Sequence, residues 1–96
     1  DMNLSGILRE PKTTVIDVRE PFEFASGHVP GALNIPLGQI PYRVHEFKEM
    51  SQPLVMYCRS GGRSGQATAF LRSQGITEVY NGGSVDEVLR AMPKVA

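Results

Sequence analysis

The chain has no tryptophan and, among its 96 residues, a single cysteine, Cys58. One thiol excludes an intramolecular disulfide framework. It also argues against a structural zinc site, because only His28 and His45 are there to join it and both lie far away in sequence. No charge of one sign prevails: ten basic and ten acidic residues cancel. No global field therefore draws the chain to nucleic acid or to an anionic membrane. No run approaches the ~20 apolar residues of a membrane span, and no signal-peptide core is visible. Internal repeats, low-complexity tracts and linkers are also missing. The expected compartment is the cytoplasm, with the periplasm as the alternative if a leader has been removed ahead of Asp1.

What is present suits one domain over residues 1–96, at 41% hydrophobic and 21% charged residues. At this length folding buries roughly 60–70% of the unfolded surface, enough for one core without staples. Leu4, Ile7 and Leu8 mark a short helix that Pro11 stops. The β-branched stretch from Thr13 to Val18 reads as a buried strand. Pro21 opens a short helix through Ser26, with Gly27 just past its end. His28 to Gly31 is a turn cluster, and Ala32 to Ile35 a second strand closed by Pro36. Ile40, Val44, Phe47 and Met50 share one face of a helix expected over 39–50. Leu54 to Tyr57 is a continuous apolar run, the pattern of a central strand covered on both faces. A further helix carries Ala67, Phe70 and Leu71 and ends at Gly75. Ile76 to Tyr80 is expected to be a strand, and Asn81-Gly82-Gly83 a turn. Ser84 and Glu87 form an S-x-x-E capping box for a last helix bearing Val85, Val88, Leu89 and Met92.

Strand and helix alternate along the chain. The expected fold is α/β, with three layers: a central, mostly parallel sheet of about four to five short strands, flanked by helices on both faces. Ligands in such sheets bind beyond the carboxyl ends of the strands, where Asp17, Cys58 and Asn81 all fall.

The stretch Cys58-Arg59-Ser60-Gly61-Gly62-Arg63-Ser64 concentrates the chemistry. A thiol at the end of a buried strand, just before a helix, sees the helix's positive end and the unpaired amides of the loop. Both favour the thiolate, which is the nucleophile. Gly61, Gly62 and Gly65 let the loop curl, Arg59 and Arg63 add positive charge, and Ser60 and Ser64 offer hydroxyls. Unpaired cysteines are usually inert small hydrophobes. An inert one has no use for two arginines and three glycines in the seven residues after it. Two reaction classes pair a cysteine with an arginine-bearing anion loop: phosphate-ester hydrolysis through phosphocysteine, and sulfur transfer through a persulfide. Cysteine phosphatases space the pair as C-x5-R. Here four residues separate Cys58 from Arg63, a smaller ring better sized for one added sulfur atom. No general acid for the phosphatase chemistry is singled out, although Asp17 and Asp86 are available.

At this point the chain resembles the rhodanese family, and specifically its single-domain sulfurtransferases. Asp17-Val18-Arg19, then Glu23-Phe24 and Gly27 to Pro36, is similar to the family's first signature. Cys58 to Ser64 is similar to its active-site loop, and Gly82-Gly83 after a strand to its C-terminal signature. The likeness spans about residues 13–92. It implies a rhodanese-like fold and a two-step transfer: a small-molecule sulfane-sulfur donor such as thiosulfate loads Cys58, and a thiophilic acceptor unloads it. Cyanide is the usual assay acceptor; thiols and sulfur-carrier proteins are the physiological kind. The resemblance implies no metal and no cofactor beyond the covalent persulfide. With one cysteine there is no internal resolving thiol, so the acceptor must come from outside. The family often has tryptophan shortly after the Gly-Gly pair, where this chain has Ser84-Val85-Asp86-Glu87-Val88.

Roles follow by position. Cys58 is the expected nucleophile. Arg59, Ser60, Gly61, Gly62, Arg63 and Ser64 are expected to bind substrate, with Arg63 receiving the donor anion and the Arg59 amide serving the sulfur. Asp17 and Arg19 are expected to brace the site as a buried pair, joined by Glu23. His28 is expected to be a buried, hydrogen-bonded turn residue, not an acid or base. His45 should be solvated, and Arg72 and Arg90 should be surface charges. The rival readings are a non-catalytic binding module on the same fold and, third, a cysteine phosphatase or arsenate reductase.

Overall fold

The computed structural model describes residues 3–94. Helix α1 (Leu4–Arg9) is capped by Asn3, whose side chain accepts from the Gly6 amide. Strand β1 (Thr14–Asp17) follows, then α2 (Pro21–Ala25), β2 (Leu33–Asn34), a 3₁₀ segment Leu37–Tyr42, α3 (Val44–Glu49), β3 (Leu54–Cys58), α4 (Gly62–Ser73), β4 (Val79–Ser84) and α5 (Val85–Ala91). The strands form one sheet in the order β2-β1-β3-β4, and every pairing is parallel.

All five residues of β3 are buried, as a central strand of a parallel sheet requires. Alternation along it divides the core in two. Leu54, Met56 and Cys58 join Phe47, Ile40, Ala67 and Leu71 on the face covered by the 3₁₀ segment, α3 and α4. Val55 and Tyr57 join Ile7 and Val88 on the opposite face, covered by α1 and α5. The last residue of β3 therefore delivers its thiol to the α4 side. The chain order turns outward in one direction from β1 to β2 and in the other from β3 to β4. The carboxyl ends of β1 and β3 thus flank the switch point where open α/β sheets place their ligands.

Two expected elements differ. The helix expected over 39–50 is a 3₁₀ segment, Leu37–Tyr42, and a separate α3, joined at Arg43 with φ −126°. Pro41 lies inside the first piece; lacking an amide hydrogen, it suits a short tight turn better than a helix interior. The last strand also begins later and runs further than expected. Ile76 is buried in a connection, whereas Asn81-Gly82-Gly83 is strand, not turn. Its pairing with β3 slips between Met56 and Tyr57: Met56 faces Asn81, and Tyr57 faces Gly83. Gly82 is the extra residue of a β-bulge. A β-carbon on it would lie 2.8 Å from Val55 Cγ1 and 2.9 Å from Val88 Cγ2, so the sheet and α5 close on it from both sides. The Ser84–Glu87 capping box forms as expected, each residue's side chain accepting from the other's amide at 3.1 Å.

Candidate active site

β3 ends at Cys58, and Gly61, at φ +97°, turns the chain into α4. That left-handed conformation, with Gly83 Cα only 3.3 Å from where a β-carbon would sit, leaves glycine as the residue that fits. The turn folds the loop back over the sulfur. The Gly61 amide donates to Cys58 Sγ at 3.0 Å and the Ser64 amide at 3.4 Å, while Ser64 Oγ stands 3.3 Å away. Burial, at 1% exposure, pushes the thiol up. The Ser64 hydroxyl and the amides of Ser64, Ser60 and Gly61 outweigh it, so the net shift is downward. The arrangement favours a thiolate held among N–H donors at the start of a helix.

Asn81 locks this loop. Ser64 Oγ donates to its Oδ1 at 2.7 Å, the Gly83 amide donates to the same oxygen at 3.0 Å, and Asn81 Nδ2 donates to the Gly61 carbonyl at 3.0 Å. The bulge in β4 thereby fastens to the loop after β3. Sequence reasoning placed Asn81 at a strand end without giving it work. The signal was an amide side chain, able to donate and accept, directly before a glycine pair.

At the end of β1, Asp17 and Arg19 form the buried pair expected of them. The Arg19 Nη2 to Asp17 Oδ2 distance is 2.7 Å, with further bonds from Arg19 Nε and its amide to the carboxylate. Arg19 also donates to the Gly27 carbonyl at 2.7 Å and lies 5.9 Å from the Tyr57 ring centroid. Every hydrogen-bonding side-chain atom buried among the described residues has a partner, which a buried ion pair requires. Tyr57 accepts from the Val29 amide at 3.0 Å, and burial pushes its phenol up to about 12.

Glu23 lies near enough to Arg19 to favour its charge but makes no hydrogen bond to the Asp17–Arg19 pair. It forms a two-pronged pair with Arg63, Nη1 to Oε1 at 2.7 Å and Nη2 to Oε2 at 3.1 Å. Arg63, expected to receive the donor, thus has both terminal nitrogens on a carboxylate. Arg59 is exposed and makes no hydrogen bond or ion pair among the described residues; Ser60 and Gly62 are exposed beside it. His28 is exposed, not buried: its Nδ1 donates to the Phe24 carbonyl at 2.9 Å and its ring stacks on Phe24 at 3.6 Å. Arg72 departs from a plain surface charge by donating to the Val79 carbonyl at 2.7 Å. His45 is solvated and faces Glu49. Among the described residues no three histidine, cysteine or acidic side chains converge on a metal site, and no helix is long and apolar enough to cross a membrane.

The Rhodanese-like domain family matches residues 3–86. The chain is 49% identical over 70 residues to the uncharacterized protein YqhL of Bacillus subtilis, a match covering 73% of this chain and 55% of that one. It is 40% identical over 81 residues to the thiosulfate sulfurtransferase PspE of Escherichia coli, covering 83% of this chain and 76% of that one. The fold is similar to a solved rhodanese with anions from E. coli, at a TM-score of 0.73 and 38% identity, covering 86% of this chain and 96% of that one.

Proposed function

The chain belongs to the rhodanese-like family, and on that premise we propose that it is a sulfurtransferase that carries sulfane sulfur as a persulfide on Cys58. The observation that carries this reading is the ring of donors around Cys58 Sγ. In the first step the thiolate attacks the outer sulfur of thiosulfate. The bond between that sulfur and the sulfonate sulfur breaks, and sulfite leaves with the electron pair. In the second step a thiophilic acceptor attacks the terminal persulfide sulfur and returns the thiolate. A negative charge rests on sulfur throughout, within reach of the same amides. The name of PspE supports thiosulfate as a donor. The acceptor is an external thiol or sulfur-carrier protein, since the chain has no second cysteine. The sulfur is the only group carried, and the two steps balance without a metal or organic cofactor. The position of Cys58 at 1% exposure adds a requirement: donor and acceptor must present the reacting sulfur end-on.

Incubation with thiosulfate should add the mass of one sulfur atom to the intact protein, and cyanide should remove it as thiocyanate. Cys58→Ser should take up none. A wild-type chain that gains no sulfur, or a Cys58→Ser chain that still does, overturns the proposal.

A further inference from the structure

The charged groups at the site form an alternating row. Asp17 is paired to Arg19, and Glu23 to Arg63. Glu23 also lies close enough to Arg19 to favour its charged form, and a Cys58 thiolate does the same for Arg63. From the end of β1 to the mouth of the loop the signs run minus, plus, minus, plus, minus. The guanidinium that closes the C-x4-R loop is therefore an anion seat already part-filled. Its two terminal nitrogens already hold a carboxylate in fork geometry, the geometry they would offer to a sulfonate.

We infer that Glu23 acts as a resident anion on Arg63, competing with anionic donors for that guanidinium and so biasing the site against dianions. This rests on the reading of the site as one for sulfur transfer. A thiosulfate ion brings two charges toward a region already holding the carboxylates of Asp17 and Glu23 and the Cys58 thiolate. To use Arg63 it must displace Glu23 or share the guanidinium with it, on the three N–H donors left at Nε and at the outer positions of the two terminal nitrogens. Arg59, exposed and without a partner among the described residues, is the cation left for it to meet first. A donor of lower charge, such as a thiosulfonate or a persulfide on a thiol, loses less at this barrier. Glu23 is thus a positioning residue that acts through Arg63 and sets donor preference without touching the reacting sulfur. Arg63 is 36% exposed at its side chain and Glu23 17%, so solvent screens the pair and its effect is modest.

The test compares wild type with Glu23→Gln and with the charge-conserving Glu23→Asp. Binding of sulfate, an unreactive dianion, is followed by NMR and needs no catalysis. Glu23→Gln should bind it about two- to five-fold more tightly, the worth of a half-exposed ion pair, and Glu23→Asp should stay near wild type. In the wild-type protein sulfate should shift the Arg63 side-chain resonances, which keeps the inference testable even if Glu23→Gln does not fold. In turnover, Glu23→Gln should lower KM for thiosulfate by a similar factor while kcat changes less than about two-fold. KM for methanethiosulfonate, which donates by the same substitution with sulfinate leaving and one charge fewer, should fall less. Unchanged sulfate binding in Glu23→Gln, or unshifted Arg63 resonances, overturns the inference while leaving sulfur transfer intact. Tightened sulfate binding with no sulfur uptake from either donor upholds it and overturns the transfer reading.

Discussion

Ser64 has one hydroxyl proton and two acceptors that want it. In the thiol form that proton belongs to Asn81 Oδ1, 2.7 Å away, and Ser64 Oγ can accept from the Cys58 thiol. When Cys58 ionises, the same proton serves the sulfur better, because a thiolate is the stronger acceptor; Asn81 Oδ1 keeps the Gly83 amide. The thiolate absorbance near 240 nm should therefore titrate at lower pH in the folded protein than in the same chain unfolded in urea. Ser64→Ala should move the folded midpoint up. A folded midpoint at or above the unfolded one would mean that burial prevails over the hydrogen bonds. Much at this scale was legible in the sequence. Cys58, Ser64 and the loop glycines declare themselves because a thiol, its donors and the bend that gathers them are contiguous. Asn81 and the Glu23–Arg63 pair were not legible, because their work depends on which strand and helix ends meet, and pairs 17 and 40 residues apart leave no local pattern.

Among the elements, β4 carries the strictest demand. Gly82 sits where the bulge pushes its backbone between Val55 and Val88, with under 3.0 Å available to any β-carbon on either side. Gly82→Ala should destabilise by about 1–3 kcal/mol, as overpacking of a filled core does. For a chain of this size that is a fall in Tm of roughly 4–8 °C per kcal/mol, readable by calorimetry. A melting point equal to wild type would mean that the bulge relaxes freely. The expectation of a turn at Asn81-Gly82-Gly83 followed ordinary punctuation rules. It failed because these glycines answer to close packing across a strand pair and not to chain reversal. The single helix expected over 39–50 failed for a related reason. Its apolar spacing is genuine, since Ile40 and Phe47 are both buried, but the same residues reach the core from two short helices set apart at Arg43. The alternation of strand and helix, the apolar run of β3 and the last capping box were all readable, because each depends on residues adjacent in sequence or one turn apart.

For the molecule as a whole, the row of charges couples stability to acidity. The Arg63 guanidinium, with the Glu20 amide, holds the Glu23 carboxyl down at about 2 against an ordinary 4.5. A carboxyl more acidic in the folded state than in the unfolded one stabilises fully above the unfolded value, and that share is lost as pH falls through the folded value. The urea midpoint of wild type should therefore drop between pH 5 and pH 2 by more than that of Glu23→Gln. Equal drops in the two proteins would place the acid sensitivity elsewhere.

The sheet also ends abruptly on both sides. β2 offers two residues of ladder, and β4 is broken by its bulge before it can present a regular row of donors and acceptors. A neighbouring chain seeking to extend the sheet finds, on either side, too little straight backbone to template a new strand. The bulge that anchors Asn81 over the loop after β3 thus also guards against fibrillar assembly, so straightening β4 would expose the folded population to aggregation as well as loosening that loop.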